Sequence, residues 1–361
     1  MARRALFVDV LAVVAVLAIA SPIAVEGQGA AAPSAAPAKR YTPPRTADGR
    51  PDLQGMWTFW DDTPFETPGV PTRRRDGDEG AVGSADRTVA QLQAARAAAG
   101  LPQEENVFYA EGPLIPKRKS IVVEPAIGHV PLSGAAAQKN NERQDHFRDS
   151  YRYLTPYMRC ITRGVPGGLF PTGVNNAVQF IQTPGTVAIV NEQIHEARVI
   201  PVDGSRHLPQ SIRLWTGDSR GHWEGDTLVV DTTNFNDKGA SVNHAQAGHL
   251  QGVGQSEALH VVERFTRVSD KTINYEVTVE DPNIYTAPWK AFVPLTKNDS
   301  YKMFEYACHE GNVYFMTNVL RAGRVQEKGP DNQAVSDSRR QAEEAAKAEL
   351  EAAKAKAQQG K

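Results

Sequence analysis

The 361-residue sequence predicts a mainly β protein, an antiparallel lipocalin-like barrel or a two-sheet sandwich, with irregular N-terminal wrapping and a C-terminal solvated helix. Three observations carry this. From about residue 177 the apolar residues recur with period two, which puts alternate side chains on opposite faces of a strand. Turn signals then follow at short, fairly regular spacing. No helix-length periodic segment lies between them, so the crossover helices of a parallel α/β sheet are missing.

Taken in order, the chain opens MARRALFVDVLAVVAVLAIA. Arg3 and Arg4 lead into an apolar run interrupted at Asp9, and the uninterrupted part is shorter than the roughly 20 residues of a membrane span. This is the layout of a secretory signal peptide over residues 1–27, with cleavage after Ala18-Ile19-Ala20 or near Gly27, and it implies a periplasmic or secreted protein. Residues 28–45 are an Ala/Pro linker, too poor in apolar side chains to fold. Residues 46–325 form a single β-rich domain. Residues 326–361 are a charged helical or disordered tail, in which Glu343, Lys347 and Glu351 alternate in sign on one helical face with no apolar stripe to bury. The mature chain has no stable membrane span. A formal net charge of −2 without a basic stripe argues against nucleic acid as a partner.

Within the domain, residues 60–120 read as irregular, with a short helix in ADRTVAQLQAARAAAG and a short strand in SIVVEP. AVQFIQT and TVAIVNEQI flank the turn Pro184-Gly185, and EARVIPVDG follows as a third strand. GHWEGDTLVVDTTNF reads as a tight hairpin, ALHVVERFTRV and TINYEVTVED as a second, and WKAFVPLTK and YKMFEYACHE as a third around Asn298-Asp299. In TINYEVTVED, Ile273, Tyr275, Val277 and Val279 share the core face. Thr272, Asn274, Glu276, Thr278 and Glu280 share the other, which is either solvent or a polar cavity.

The only two cysteines are Cys160 and Cys308. In an exported chain a disulfide is expected, closing a loop of about 150 residues that contributes roughly 4–5 kcal/mol in the chain-entropy treatment. The competing reading is a reactive thiol, which an oxidising compartment disfavours.

No nucleophile elbow, phosphate loop, dinucleotide fingerprint or zinc-protease helix motif is present. Candidate chemistry rests on weaker constellations. Read as a strand, KMFEYACHE puts Met303, Glu305, Ala307 and His309 on one face, so Glu305 and His309 become an acid–base pair, with His195 from the strand NEQIHEARVIP completing the catalytic set. The same three residues would suit a metal, but no metal site is assigned and no cofactor is named. The Gly/Pro-rich segment 157–176 offers Arg159 and Arg163 to hold an anionic group and Asn175 and Asn176 to orient a polar ligand; a Gly-rich turn with Asn caps is the structural alternative. Tyr285 and Trp289 form an aromatic rim for a ligand mouth, or an ordinary turn fixed by Pro282 and Pro288. Asp218 and Arg220 read as a structural ion pair. His244 and His249 match no zinc spacing and read as part of a mobile loop.

The stretches DGRPDLQGMW, RCITRG, GDSRGHWEGDTLVVDTTNF, LHVVERF, YEVTVEDP and FEYACHEGN resemble a large family of exported bacterial proteins of unknown function. The resemblance spans nearly all of residues 46–320 and implies secretion and one β-rich unit. The leading expectation is an exported enzyme acting on a small polar molecule by His/Glu acid–base chemistry, as a lyase, isomerase or hydrolase. The alternatives are a non-catalytic small-molecule-binding β-barrel protein and an envelope interaction protein.

Overall fold

The structure, a computed structural model, describes residues 41–61, 63–68, 118–172, 175–242 and 250–327, together with Gln341, Glu344 and Ala348. The expected signal peptide, the linker up to residue 40, the helix expected near 85–100, the histidine pair at 244 and 249 and nearly all of the tail lie outside them.

The strands are β1 (Gly55–Thr58), β2 (Val122–Glu124), β3 (Ala177–Thr183), β4 (Thr186–Asn191), β5 (Ala197–Pro201), β6 (Asp218–Glu224), β7 (Thr227–Thr233), β8 (Ala240–Val242), β9 (Val253–Gly254), β10 (His260–Ser269), β11 (Thr272–Glu280) and β12 (Trp289–Lys297). Ten form one sheet in the order β5-β4-β3-β1-β12-β11-β10-β7-β6, with β2 added on β12; β8 and β9 pair separately. Every pairing is antiparallel. Two of the expected hairpins show Thr183 paired with Thr186 around Pro184-Gly185 and Glu224 with Thr227 around Gly225-Asp226, whereas among the described residues no strand follows β12 to form the one expected around Asn298-Asp299.

The sheet curls into a nearly closed barrel. Its two end strands, β5 and β6, meet by side-chain packing instead of a hydrogen-bonded ladder. A Cβ placed on Gly221 of β6 would lie 2.7 Å from Val202 Cγ1 and 3.1 Å from Ile200 Cγ2. The absent side chain therefore lets the two edges approach and shields them from foreign strands.

The interior is filled by side chains. Ile273, Tyr275, Val277 and Val279 of β11 are buried, as their period predicts, and the polar face of that strand is the outside. Trp57, Phe180 and Phe265 join them, with ring centroids 5.3 Å apart for Phe180–Phe265 and 4.9 Å for Phe265–Tyr275. On β10 the inward set is Val261, Glu263, Phe265 and Arg267, so two charges enter the core. Glu263 takes both guanidinium nitrogens of Arg198 and the hydroxyl of Tyr275, which donates to Oε1 at 3.0 Å. Arg267 is absorbed by carbonyls, donating to Asp52 O at 2.7 Å and Asp270 O at 3.1 Å. Buried charges survive in this way only when their hydrogen-bonding capacity is met.

Among the described residues up to 327, two α-helices pack outside the barrel. Helix α1 (Gly134–Asp145) is capped by Ser133, whose hydroxyl accepts from Ala136 N at 3.2 Å. Helix α2 (Cys308–Glu327) corrects the strand expected over YKMFEYACHE. Residues 301–307 are irregular, and the helix begins at the cysteine. It buries Val319 and lets Gly323 approach Ser150 Oγ to 3.0 Å, measured from a Cβ built on the glycine. Tertiary packing of that face overrides the short period-two run before it.

Candidate functional site

Cys160 and Cys308 are joined, 148 residues apart in sequence with Cα atoms 5.8 Å apart. The bridge brings the first turn of α2 against the irregular segment 155–163. Asn312 Nδ2 donates to Met158 O at 2.5 Å, and the hydroxyls of Tyr157 and Tyr306 lie 2.8 Å apart. Between these pieces lies a cleft of about 510 Å³, whose lining includes Tyr157, Asn175, Glu305, Tyr306, Cys308 and Phe315. The bridge therefore sets Glu305 and Asn175 on the walls of one cleft.

The remaining expected residues do not assemble there. His195 is not on a strand. It ends the short turn Gln193–His195 with φ 44°, exposed to solvent. His309 is the second residue of α2 and is also exposed, so the shared strand face with Glu305 does not exist. Neither histidine lines the cleft. The Glu beside that turn, Glu192, is buried and structural: it accepts from Tyr301 Oη at 2.7 Å and Phe304 N at 2.9 Å, pinning the chain before α2.

Arg163 is 2% exposed and does not line the cleft. Its Nη1 donates to Gln193 Oε1 at 3.0 Å and its guanidinium lies over the Tyr157 ring at 5.7 Å. Burial lowers its pKa to about 10, so the group still carries its charge at neutral pH. Arg159 is half-buried, with no hydrogen-bond or ion-pair partner for its guanidinium among the described residues. Asn176 is fully buried and staples its own loop, accepting from Thr172 N at 2.7 Å and donating to Thr172 O at 2.9 Å. The aromatic rim is core instead: Tyr285 and Trp289 are 3% and 0% exposed, their rings 5.8 Å apart, and Tyr285 Oη sits 2.6 Å from Ser241 Oγ. Strand β12 begins at Trp289, so its side chain points inward with Ala291 and Val293.

A second constellation escaped the sequence reading. Outward-facing residues of β6, β7 and β10 join the loop before β6 in a chain of alternating charge. Arg220 Nη1 donates to Asp218 Oδ1 at 2.7 Å. His207 Nδ1 lies 2.9 Å from Asp218 Oδ2, and His207 Nε2 lies 3.0 Å from Asp231 Oδ1. His260 Nε2 lies 2.8 Å from Asp231 Oδ2. Each ring nitrogen of His207 therefore faces one carboxylate oxygen. His260 donates from Nε2 and keeps Nδ1 without a partner among the described residues.

The hydrogen bond to Asp231 raises the His260 pKa above its usual 6.5, against a smaller opposing effect of burial, and Asp231 and Glu280 add attraction. The bond from His260 in turn lowers that of Asp231. His207 and His260 stand on the wall of an open cleft of about 670 Å³ that Arg213, Asn234, Glu257 and Asn283 help to line.

No family model, curated protein or solved structure matches the chain. The chemistry has to be argued from these residues. Strand alternation alone turns Asp231 and His260 outward, and the ladder that pairs Asp231 with Val262 makes them neighbours. His207 comes from an irregular loop and carries no periodic signal. Among the described residues, no group of three or more His, Cys, Asp or Glu side chains is arranged to hold a metal ion, and no helix is long and apolar enough to cross a membrane.

Proposed function

We propose that the chain is an exported enzyme that acts on a small polar molecule by acid–base chemistry, with His260 as the proton-transfer group. The observation that carries this reading is the Nε2 of His260 held by Asp231 while Nδ1 is left over, on the wall of an open polar cleft. A carboxylate on one ring nitrogen fixes the tautomer and stabilises the imidazolium that forms when the other takes a proton. His207 acts behind Asp231 as a positioning residue, and Asp218 and Arg220 fix His207 in turn. Arg213 and Asn283 supply polar contacts for a ligand, and the volume is in the range of small-molecule sites.

His260 replaces the set His195, Glu305 and His309 as the acid–base centre. Lyase, isomerase and hydrolase chemistry all run on such a pair. The disulfide suits an oxidising compartment, and the motif resemblance to exported bacterial proteins supports secretion. The test is turnover of a panel of small polar esters, lactones and carbonyl acids by the full mature chain and by His260→Gln. At least one compound converted by the native protein and not by the variant, with thermal stability retained, supports the reading. Equal conversion by both proteins, or none by the native chain, contradicts it.

A further inference from the structure

We propose that the cleft beside the Cys160–Cys308 bridge binds a small organic cation, a quaternary or highly methylated ammonium compound. The site is independent of His260, and its charge preference is opposite to the anionic ligand that Arg159 and Arg163 suggest in the sequence.

Three features set that preference. Tyr157, Tyr306 and Phe315 line the cleft, and aromatic rings attract organic cations through the negative potential of their faces. Glu305 is the one ionisable carboxylate of the lining; it has no hydrogen-bond or ion-pair partner among the described residues, and no Lys, Arg or His lines the space beside it. Arg163 is absent from the lining, but its guanidinium already lies 5.7 Å over the Tyr157 ring, so the attraction rests on Glu305, Tyr306 and Phe315.

The walls are held in place before any ligand arrives. The tyrosine hydroxyls lie 2.8 Å apart, and burial together with the neighbouring phenol pushes the Tyr306 pKa up, so Tyr306 stays neutral. Asn312 Nδ2 is committed to Met158 O at 2.5 Å, and the disulfide fixes the junction of loop and helix. A methylated ammonium needs no hydrogen-bond acceptor to replace its water, so aromatic rings and one carboxylate suffice to hold it. A volume of about 510 Å³ accommodates such a molecule.

The amino end of α2 works in the other direction, because its free N–H groups favour an anion. Glu305 just before the helix and Glu310 in its first turn oppose that field. The decisive comparison therefore holds shape constant and varies charge. Choline, 3,3-dimethyl-1-butanol and 3,3-dimethylbutyrate are near-isosteres of charge plus one, zero and minus one. Binding of each to the full mature chain is measured by ligand-observed NMR, with Glu305→Gln as the variant and Glu310→Gln as the control for a charge outside the cleft.

The expected order is choline, then the alcohol, then the carboxylate, with choline about tenfold tighter than the alcohol. Glu305→Gln removes most of that margin and Glu310→Gln leaves most of it. Equal affinity for choline and the alcohol overturns the proposal, as does preference for the carboxylate, no binding of choline, or an unchanged margin in Glu305→Gln.

Discussion

Asp231 of β7 accepts a hydrogen bond from His260 Nε2 of β10 at 2.8 Å, on the outer face of the barrel. Its other oxygen faces His207, so one carboxylate serves two imidazoles. The bond has a measurable consequence for stability. The pKa of His260 is raised above 6.5 in the fold, so the protonated form stabilises the native state. That contribution is complete below pH 6.5 and disappears as pH rises through the raised folded value. Asp231→Asn should flatten this part of the curve of unfolding free energy against pH, measured in urea from pH 5 to 9.

Glu66 behaves as a second pH-dependent element. Burial raises its pKa to about 7, against the stabilising hydrogen bond from Val130 N at 2.7 Å. An acid raised in the fold stabilises it while protonated, fully below pH 4.5, and the contribution is lost as pH rises through about 7. Partial exposure limits the effect to on the order of 2 kcal/mol. Glu66→Gln keeps an acceptor for Val130 and should gain stability relative to the native chain above pH 7 while matching it below pH 4.5. Thermal melts at pH 4, 6 and 8 check this.

Breaking the disulfide tests the fold's longest covalent constraint. For residues 148 apart the chain-entropy treatment gives a loss of about 4–5 kcal/mol. Cys160→Ser with Cys308→Ser should lower the unfolding free energy measured in urea by that order. Amide exchange should rise first in the opening turns of α2 and in residues 155–163, whose contact the bridge maintains.

Inside the barrel, Arg198 and Glu263 answer one another. Burial works against the charge on Arg198, and Glu263 more than offsets it, so the net pKa shift is upward. Glu263→Gln leaves a buried guanidinium without its counterion and should cost about 3–5 kcal/mol in urea unfolding. Replacing both residues by methionine should cost much less, because the desolvation of both charges disappears together.

The antiparallel β class was legible from residues such as Ile273, Tyr275, Val277 and Val279, whose strict alternation survives in the structure, while the choice of barrel over sandwich was not. The hairpins at Pro184-Gly185 and Gly225-Asp226 were legible too, because glycine marks the tight turn. The pairing of Cys160 with Cys308 followed from there being no other cysteine. Helix α2 was hidden: Phe304, Tyr306 and Cys308 imitate a strand for a few residues, and the helical packing at Val319 and Gly323 starts only later.

That misreading carried the site with it. Glu305 and His309 share a face only if residues 303–309 are extended. Tyr285 and Trp289 looked like a rim because they are aromatics just past a strand end, yet which side of β12 faces the core depends on its register with β11, where Trp289 pairs with Val279. The His207–Asp231–His260 chain needed the pairing of β7 with β10 and the path of a loop. Neither is encoded in local periodicity.

The protonation geometry of His260 tests the central claim most directly. Nitrogen-15 NMR of histidine-labelled full mature chain, followed from pH 5 to 9, reads both its pKa and its neutral tautomer. The account predicts titration above 6.5, a neutral form protonated at Nε2 with the lone pair on Nδ1, and a lower titration midpoint in Asp231→Asn. A neutral form protonated at Nδ1, or a midpoint unmoved by Asp231→Asn, would contradict it.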